Sequence, residues 1–196
     1  MTADQAAALD ACIAAGGVAL FPADTVYGLA ADPESEDAVG RLYRIKGRPP
    51  RRPAAVMFFQ VDAALAAVPG LGERTSTALA RLFPGPLTAV LPNPERRFPL
   101  ACADTPERIG VRVPAIAHGP GRPVLQSSAN PSGGVDVRRL EDVDASIRRQ
   151  VDLEVDGGEL PGTPSTVVDL SAYEGTGEWR VLREGAFDLT RLGDAL

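Results

Sequence analysis

The chain has 196 residues, 44% of them hydrophobic and 23% charged, which suits one globular domain with a sizeable core. Its net charge of −6 argues against a wholly basic nucleic-acid-binding surface. Cys12 and Cys102 are isolated and His118 is the only histidine, which excludes a Cys/His zinc site and argues against a catalytic triad. No signal-peptide pattern and no apolar run of the ~20 residues that span a bilayer is present, so we expect a cytoplasmic protein without a membrane segment.

The predicted elements begin with a helix over residues 2–17, which Thr2 and Gln5 start as a capping box. A strand over 18–21 follows, then a helix over 34–45 and a buried strand over 54–59. The remaining predicted elements are helices over 61–68, 74–82 and 140–149, and strands over 87–91, 109–113, 124–126, 151–155, 166–170 and 179–182. Strands and helices do not alternate strictly, so the pattern predicts an α/β fold with a mixed sheet.

A basic segment follows the second predicted helix. Six arginine or lysine residues and no acidic residue lie between positions 41 and 52. Lys46 is the only lysine of the chain, and Gly47 and Pro49 allow Lys46 and Arg48 to point into one space. Arginine binds phosphate oxygens in bidentate fashion and lysine binds them as a point charge. The segment is interpreted either as a small-anion site or as a solvated helix end.

Other segments place polar residues in or directly after apolar strands. Asp24 and Thr25 follow the first strand, and a loop of hydroxyl and amide groups over 126–134 follows another. Arg112 lies inside a β-branched strand, where its charge needs either a ligand or a structural salt bridge. The chain contains neither G-x-x-x-x-G-K-[ST] nor G-x-G-x-x-G, so any nucleotide is bound in another way.

Taken in order, seven segments resemble the YrdC-like threonylcarbamoyl-AMP synthase family. They read PADTVYGLA, IKGRPP, FPGPLTAVL, IGVRVP, QSSANPSGG, PSTVVD and VLREGAF, and the resemblance extends from Gly16 to about Phe187. It implies a single YrdC-like domain over residues 1–196. That domain would have a twisted mixed parallel and antiparallel sheet flanked by helices, with a large positively charged groove.

The resemblance also implies a nucleotidyltransferase. L-threonine, bicarbonate and ATP would yield threonylcarbamoyl-AMP and pyrophosphate, with Mg²⁺ carried in on ATP and no protein metal site. A downstream transferase would move the threonylcarbamoyl group onto an adenosine of tRNA, and weak binding of tRNA or other RNA is a further expectation.

The site residues that the resemblance implies fall into three groups. The Lys-x-Arg and Ser-x-Asn signatures correspond to Lys46, Arg48, Ser128 and Asn130, the expected catalytic residues. Threonine would be bound by Thr25, Arg112, Ser128 and Ser165. ATP would be bound by Lys46, Arg48, Arg52, Asn130 and Arg183.

This sequence departs from the family pattern near the expected amino-acid pocket. Ala23 stands where the family usually has Thr, Arg52 where it has Lys or Asn, and Met57 close to a His that some members carry. Gln126 and Ser127 replace a Ser-Thr pair. We expect these changes to bear on the choice of amino acid more than on the fold or the ATP side.

Two alternatives to the synthase remain at the level of sequence. One is a non-catalytic RNA-binding or translation-associated protein, against which the 5% aromatic content counts. The other is a paralogue that activates a different substrate. Lys46, Arg48, Ser128 and Asn130 argue against loss of activity but not against changed specificity.

Overall fold

The computed structural model describes all 196 residues. Helix α1 (Ala3–Ala14) begins at Thr2, and the predicted capping box with Gln5 is present. Strands β1 (Ala19–Pro22) and β2 (Tyr27–Ala31) form an antiparallel pair. Helix α2 (Glu36–Lys46) follows, and Gly47 ends it in the left-handed conformation, with φ 59°, that glycine adopts without strain.

The rest of the chain supplies seven strands and six helices. The strands are β3 (Ala55–Met57), β4 (Leu87–Pro92), β5 (Arg108–Arg112), β6 (Val124–Ser128), β7 (Leu153–Glu154), β8 (Thr166–Asp169) and β9 (Arg180–Arg183). The helices are α3 (Val61–Ala67), α4 (Glu73–Leu82), α5 (Pro99–Cys102), α6 (Ala145–Arg148), α7 (Tyr173–Thr176) and α8 (Leu189–Ala195), with one 3₁₀ turn at Leu140–Asp142.

All nine strands belong to one sheet, in the order β7-β1-β2-β6-β3-β5-β4-β8-β9. Three neighbouring pairs are parallel: β1 with β7, β3 with β5, and β4 with β8. The other five pairs are antiparallel. The predicted mixed sheet flanked by helices is therefore confirmed.

The two faces of the sheet are covered unequally. One face packs into a cluster of 37 buried apolar residues, to which α2, α4, α6 and α8 contribute Leu42, Leu79, Ile147 and Leu192. On the other face, Leu9 and Ile13 of α1 pack over β1 and β2 and over one end of β6 and β3, at Val124 and Met57, in a cluster of nine. The middle strands are left open on that face, and this gap in the helical cover forms a groove.

Several elements differ from the sequence prediction. The predicted helix over 140–149 is interrupted at Val143, because the Asp144 side chain caps α6 by accepting a hydrogen bond from the Ser146 amide. Strand β2 and the short helices α5, α7 and α8 were not predicted. None of the helices has both the length and the apolarity that crossing a membrane requires.

Candidate active-site groove

The groove lies over the middle strands of the sheet and has a volume of about 440 Å³. Its floor follows one register row, in which Gln126 pairs with Ala55, Ala55 with Gly110, and Gly110 with Val90. The small side chains of Ala55 and Gly110 leave room above β3 and β5. This volume is within the ~300–1,000 Å³ that small-molecule sites occupy.

The groove walls carry four arginines but only one acidic side chain. Arg48, Arg108, Arg112 and Arg183 line the groove together with Asp136. Two of these arginines are paired with buried carboxylates outside the lining, Arg112 with Asp24 and Arg108 with Asp169. Arg48 and Arg183 have no carboxylate partner. These two guanidiniums are therefore the groove's available positive charges.

Arg48 and Arg183 are held by neutral acceptors. Arg48 stacks over the Tyr43 ring, 5.6 Å from its centroid, and donates to the Arg52 and Pro53 carbonyls. Arg183 donates to the Ser165 carbonyl at 2.7 Å and to its hydroxyl at 3.3 Å. Carbonyl partners orient a guanidinium without neutralising it, so both charges remain free to attract an anion.

Lys46 lies behind the groove wall and joins α2 to the loop over 128–134. Its ammonium donates to the carbonyl of Ser128, to the Asn130 carbonyl at 2.7 Å and to Asn130 Oδ1 at 3.1 Å. In return the Lys46 carbonyl accepts from the Ser132 amide at 2.8 Å. The side chain is 3% exposed and all three of its N–H groups are engaged. In this conformation Lys46 positions the loop and leaves direct anion contact to its neighbours.

Thr25, Arg112 and Asp24 form a buried cluster at the edge of the groove. Arg112 Nη2 donates to Asp24 Oδ1, and to Thr25 Oγ1 at 2.7 Å. The second Asp24 oxygen accepts from the Ala115 amide at 3.2 Å. Arg112 Nε is buried without a partner. The sequence left a structural salt bridge and a ligand-binding role open for Arg112. The residue has the salt bridge and also lines the groove.

Ser165 joins the groove through a hydroxyl pair. Its Oγ lies 3.0 Å from Thr88 Oγ1 on the neighbouring strand β4. The turn after β9 fixes this segment, because the Ala186 amide donates to the Pro164 carbonyl at 2.8 Å. A Cβ at Gly185 would lie 2.2 Å from that same carbonyl oxygen, so only glycine fits there. Ser165 is thereby held beside Arg183.

The structure brings most of the expected site residues together. Arg48, Arg112, Ser128, Ser165 and Arg183 line the groove. Lys46, Asn130 and Thr25 contact these residues from behind. Arg52 is exposed and lies outside the lining. Its carbonyl accepts hydrogen bonds from Arg48 and Tyr43, and its amide donates to the Pro49 carbonyl at 3.1 Å. The other basic residues of the segment disperse, since Arg41 pairs with Asp152 and Arg51 with Asp104.

The residues that differ from the family pattern lie in two environments, the apolar core and the groove lining. Ala23 and Met57 belong to the nine-residue apolar cluster under α1, and neither lines the groove. Gln126 and Ser127 do line it. Among the departures, these two are therefore the ones placed to contact a ligand directly.

The sequence analysis did not predict a site role for four residues that line the groove or contact its lining. Thr88, Arg108, Asp136 and Asp24 line or support the groove. Thr88 had a signal, because it is the one polar side chain in the otherwise apolar strand β4. The role of Asp24 depends on a contact with Arg112, 88 positions away, which no local pattern reveals.

No group of three or more His, Cys, Asp or Glu side chains is placed to hold a metal ion. The oxygen donors near the available arginines are the Asp136 carboxylate and the Ser128 hydroxyl. A groove with a single carboxylate fits a Mg²⁺ ion only if the ion arrives with its ligands from a nucleotide's phosphates and waters.

The free energy of unfolding is expected to rise with pH through the titration of Lys46. Burial, reinforced by the Arg48 guanidinium, lowers the pKa of Lys46 from 10.5 to about 8. Between these two values the unfolded chain holds more protons than the folded one, so raising the pH favours folding. The three carbonyl acceptors favour the ammonium and limit the size of this gain.

The measurement is urea unfolding of the natural chain and of Lys46→Met at about pH 7 and about pH 9.5. Burial raises the pKa of the Cys12 and Cys102 thiols, which act in the opposite direction, but both proteins contain them. The difference between the two proteins isolates Lys46. An identical pH dependence in both would contradict the assignment.

This is an α/β protein whose mixed nine-stranded sheet carries an arginine-lined groove on its open face. The family model Sua5/YciO/YrdC, described as "Telomere recombination", matches residues 11–185. The chain belongs to this family.

Relatives of known name are similar over most of this chain. A threonylcarbamoyl-AMP synthase of Pyrococcus abyssi is 32% identical over 189 residues, and one of Hahella chejuensis is 30% identical over 164 residues. These matches cover 90% and 80% of this chain, and 53% and 88% of the relatives. The chain thus spans about half the length of the Pyrococcus relative, and 49% of a Bacillus subtilis one that is 33% identical over 85% of this chain.

Solved structures agree on the fold. The Pyrococcus abyssi protein Sua5 complexed with L-threonine is 28% identical, with a TM-score of 0.85, covering 96% of this chain and 56% of that one. YciO of Escherichia coli is 24% identical with a TM-score of 0.83, covers 97% and 94% of the two chains, and supports the fold alone.

Proposed function

We propose that this chain is an L-threonylcarbamoyladenylate synthase. It converts L-threonine, bicarbonate and ATP to threonylcarbamoyl-AMP and pyrophosphate. The observation that carries the proposal is the contact between the two signatures. The Lys46 ammonium holds the Ser128–Asn130 loop, while Arg48 points into the same groove. The names of the relatives, and the threonine complex of one of them, support the choice of reaction.

The reaction requires two anions to meet. The threonine ammonium first loses a proton, and the free amine then condenses with bicarbonate, with loss of water, to give a carbamate. A carbamate oxygen then attacks the α-phosphorus of ATP, and the bond from that phosphorus to the pyrophosphate oxygen breaks. No covalent enzyme intermediate is needed, so positioning and charge neutralisation supply the catalysis.

Different groove residues bind the phosphates and the amino acid. Arg48 and Arg183 line the groove and attract the phosphates, because neither guanidinium is neutralised by a carboxylate. Ser128 and Asn130 belong to the loop that Lys46 holds, and Arg52, whose carbonyl contacts Arg48, provides a further charge. Thr25, Arg112, Ser128 and Ser165 hold the amino acid, with Arg112 fixed in place by Asp24. ATP enters as its Mg²⁺ complex, the metal neutralising phosphate charge.

The product serves the threonylcarbamoyl-adenosine modification of tRNA in the cytoplasm. A mixed anhydride of a carbamate and a phosphate hydrolyses readily, so a downstream tRNA-threonylcarbamoyl transferase receives it soon after release. Weak binding of tRNA or other RNA to this chain would bring the two enzymes to one substrate.

The test follows pyrophosphate release from MgATP with threonine and bicarbonate each omitted in turn. We expect release only when both are present. Release without threonine, or with another amino acid in preference to it, would point to a paralogue with a different substrate. Salt-sensitive RNA binding with no release under any condition would favour the non-catalytic alternative.

A further inference from the structure

Asp136 is the only acidic side chain that lines the groove, and it forms no ion pair. Its side chain also takes part in no hydrogen bond with the rest of the chain, and the residue is half-buried. The other carboxylates near the groove differ, because Asp24 and Asp169 are committed to Arg112 and Arg108. Asp136 is thus a free negative charge in a groove proposed to take a polyanion.

Asp136 interacts electrostatically with two cationic side chains, Lys46 and Arg183. Burial lowers the pKa of Lys46 and of Arg183, and in each case the Asp136 carboxylate opposes that shift. Arg183 also experiences the charge of Arg112. The carboxylate therefore lies within electrostatic reach of both Lys46 and Arg183.

Ser128, which also lines the groove, offers a second acceptor. Its hydroxyl donates its proton to Asn130 Oδ1 at 2.6 Å, and Lys46 occupies that same oxygen. With the proton committed, the Ser128 oxygen can only accept hydrogen bonds from the groove. A free carboxylate and an acceptor-only hydroxyl together favour a ligand with several N–H donors.

We propose that Asp136 binds the α-ammonium group of the amino-acid substrate, with the Ser128 hydroxyl as a second acceptor. This inference rests on the proposed function and assigns the amine end of its substrate. A free amino acid is a zwitterion, so its site needs a negative partner as well as a positive one. Arg112 serves the carboxylate, and Asp136 serves the ammonium, which loses a proton before the carbamate forms on its nitrogen.

A magnesium ligand is the competing role for a lone carboxylate. Mg²⁺ in nucleotide sites takes one or two carboxylates together with phosphates. Ammonium is favoured here because a Mg²⁺ ion that enters on ATP has phosphate oxygens and waters as ligands without Asp136, whereas a bound ammonium needs an acceptor from the protein. The test is designed to separate the two roles.

The test measures binding by calorimetry, without turnover, to the natural chain, to Asp136→Asn and to Asp62→Asn. Asp62 is an exposed residue of α3, which contributes to the opposite face of the sheet, and its variant removes the same charge. The probes are L-threonine, 2,3-dihydroxybutanoate, which has a hydroxyl in place of the amine, and MgATP. Circular dichroism melting confirms that each variant is folded.

We expect Asp136→Asn to weaken threonine binding about tenfold or more, as for a charge partner lost from a partly buried site. Dihydroxybutanoate should bind the variant as well as or better than the natural chain, and Asp62→Asn should match the natural chain with every probe. Equal threonine affinity in both would overturn the inference, as would weaker MgATP binding with threonine unaffected. Failure of the natural chain to bind threonine would instead count against the proposed function.

Discussion

Lys46→Met is expected to reduce pyrophosphate release by about a hundredfold or more, the loss that misplacing reacting groups by ~1 Å produces. Methionine keeps the volume of the lysine stem but removes all three hydrogen bonds to the Ser128–Asn130 loop. The loop is then no longer fixed relative to Arg48. Steady-state release assays with saturating threonine and MgATP measure the effect.

Lys46→Arg separates charge from geometry at this position. The planar guanidinium keeps the charge but cannot place three donors on so compact a set of carbonyls. Arginine should therefore restore little of the activity if Lys46 acts by positioning the loop. Full activity in Lys46→Arg would assign charge alone to Lys46, and turnover within about twofold of normal in Lys46→Met would remove it from the site.

Asp24→Ala is expected to lower the free energy of unfolding by about 3–5 kcal/mol, the cost of leaving one member of a buried ion pair alone. Arg112 and Asp24 are both nearly inaccessible, with side chains 4% and 7% exposed. Without Asp24 the buried guanidinium has only Thr25 as a described side-chain partner. Urea denaturation measures the change, and threonine affinity should fall as Arg112 loses its fixed orientation.

A double-mutant cycle with Arg112→Met tests the mechanism of this loss. Removing both charges leaves no uncompensated ion, so the double variant should be more stable than the sum of the single changes predicts, by at least about 1 kcal/mol. Additive losses would mean that Asp24 and Arg112 stabilise the fold independently. In that case Asp24 would not be a positioning residue for Arg112.

The sequence predicts the outline of the fold because its strongest signals are local. The Thr2–Gln5 capping box and the apolar face of α2 depend on residues three or four positions apart. Strand β2 was missed because it begins directly after the polar Asp24–Thr25 turn and contains Gly28. Its strand conformation comes from pairing with β1 and β6, and β6 lies about 100 positions later in the chain.

The ordered motifs name the expected site residues, which stay predictions, but they do not reveal how these residues pair. Lys46, Ser128 and Asn130 meet as the resemblance implies. The sequence does not show which arginines are neutralised by a carboxylate. Arg108 and Arg112 pair with carboxylates far away in the chain, whereas Arg183 has no such partner. Ala23 and Met57, which were expected near the amino-acid pocket, lie in the core beneath α1.

The most direct test of the proposed synthase is the mass spectrum of its nucleotide product formed from MgATP, threonine and ¹³C-bicarbonate. We predict a threonylcarbamoyl-AMP ion that carries the label from bicarbonate and is absent when threonine is omitted. An unlabelled threonyl-AMP would show that the carboxylate of threonine, and not its carbamate, attacks the α-phosphorus. AMP or ADP alone, with no threonine-dependent product, would contradict the proposed function itself.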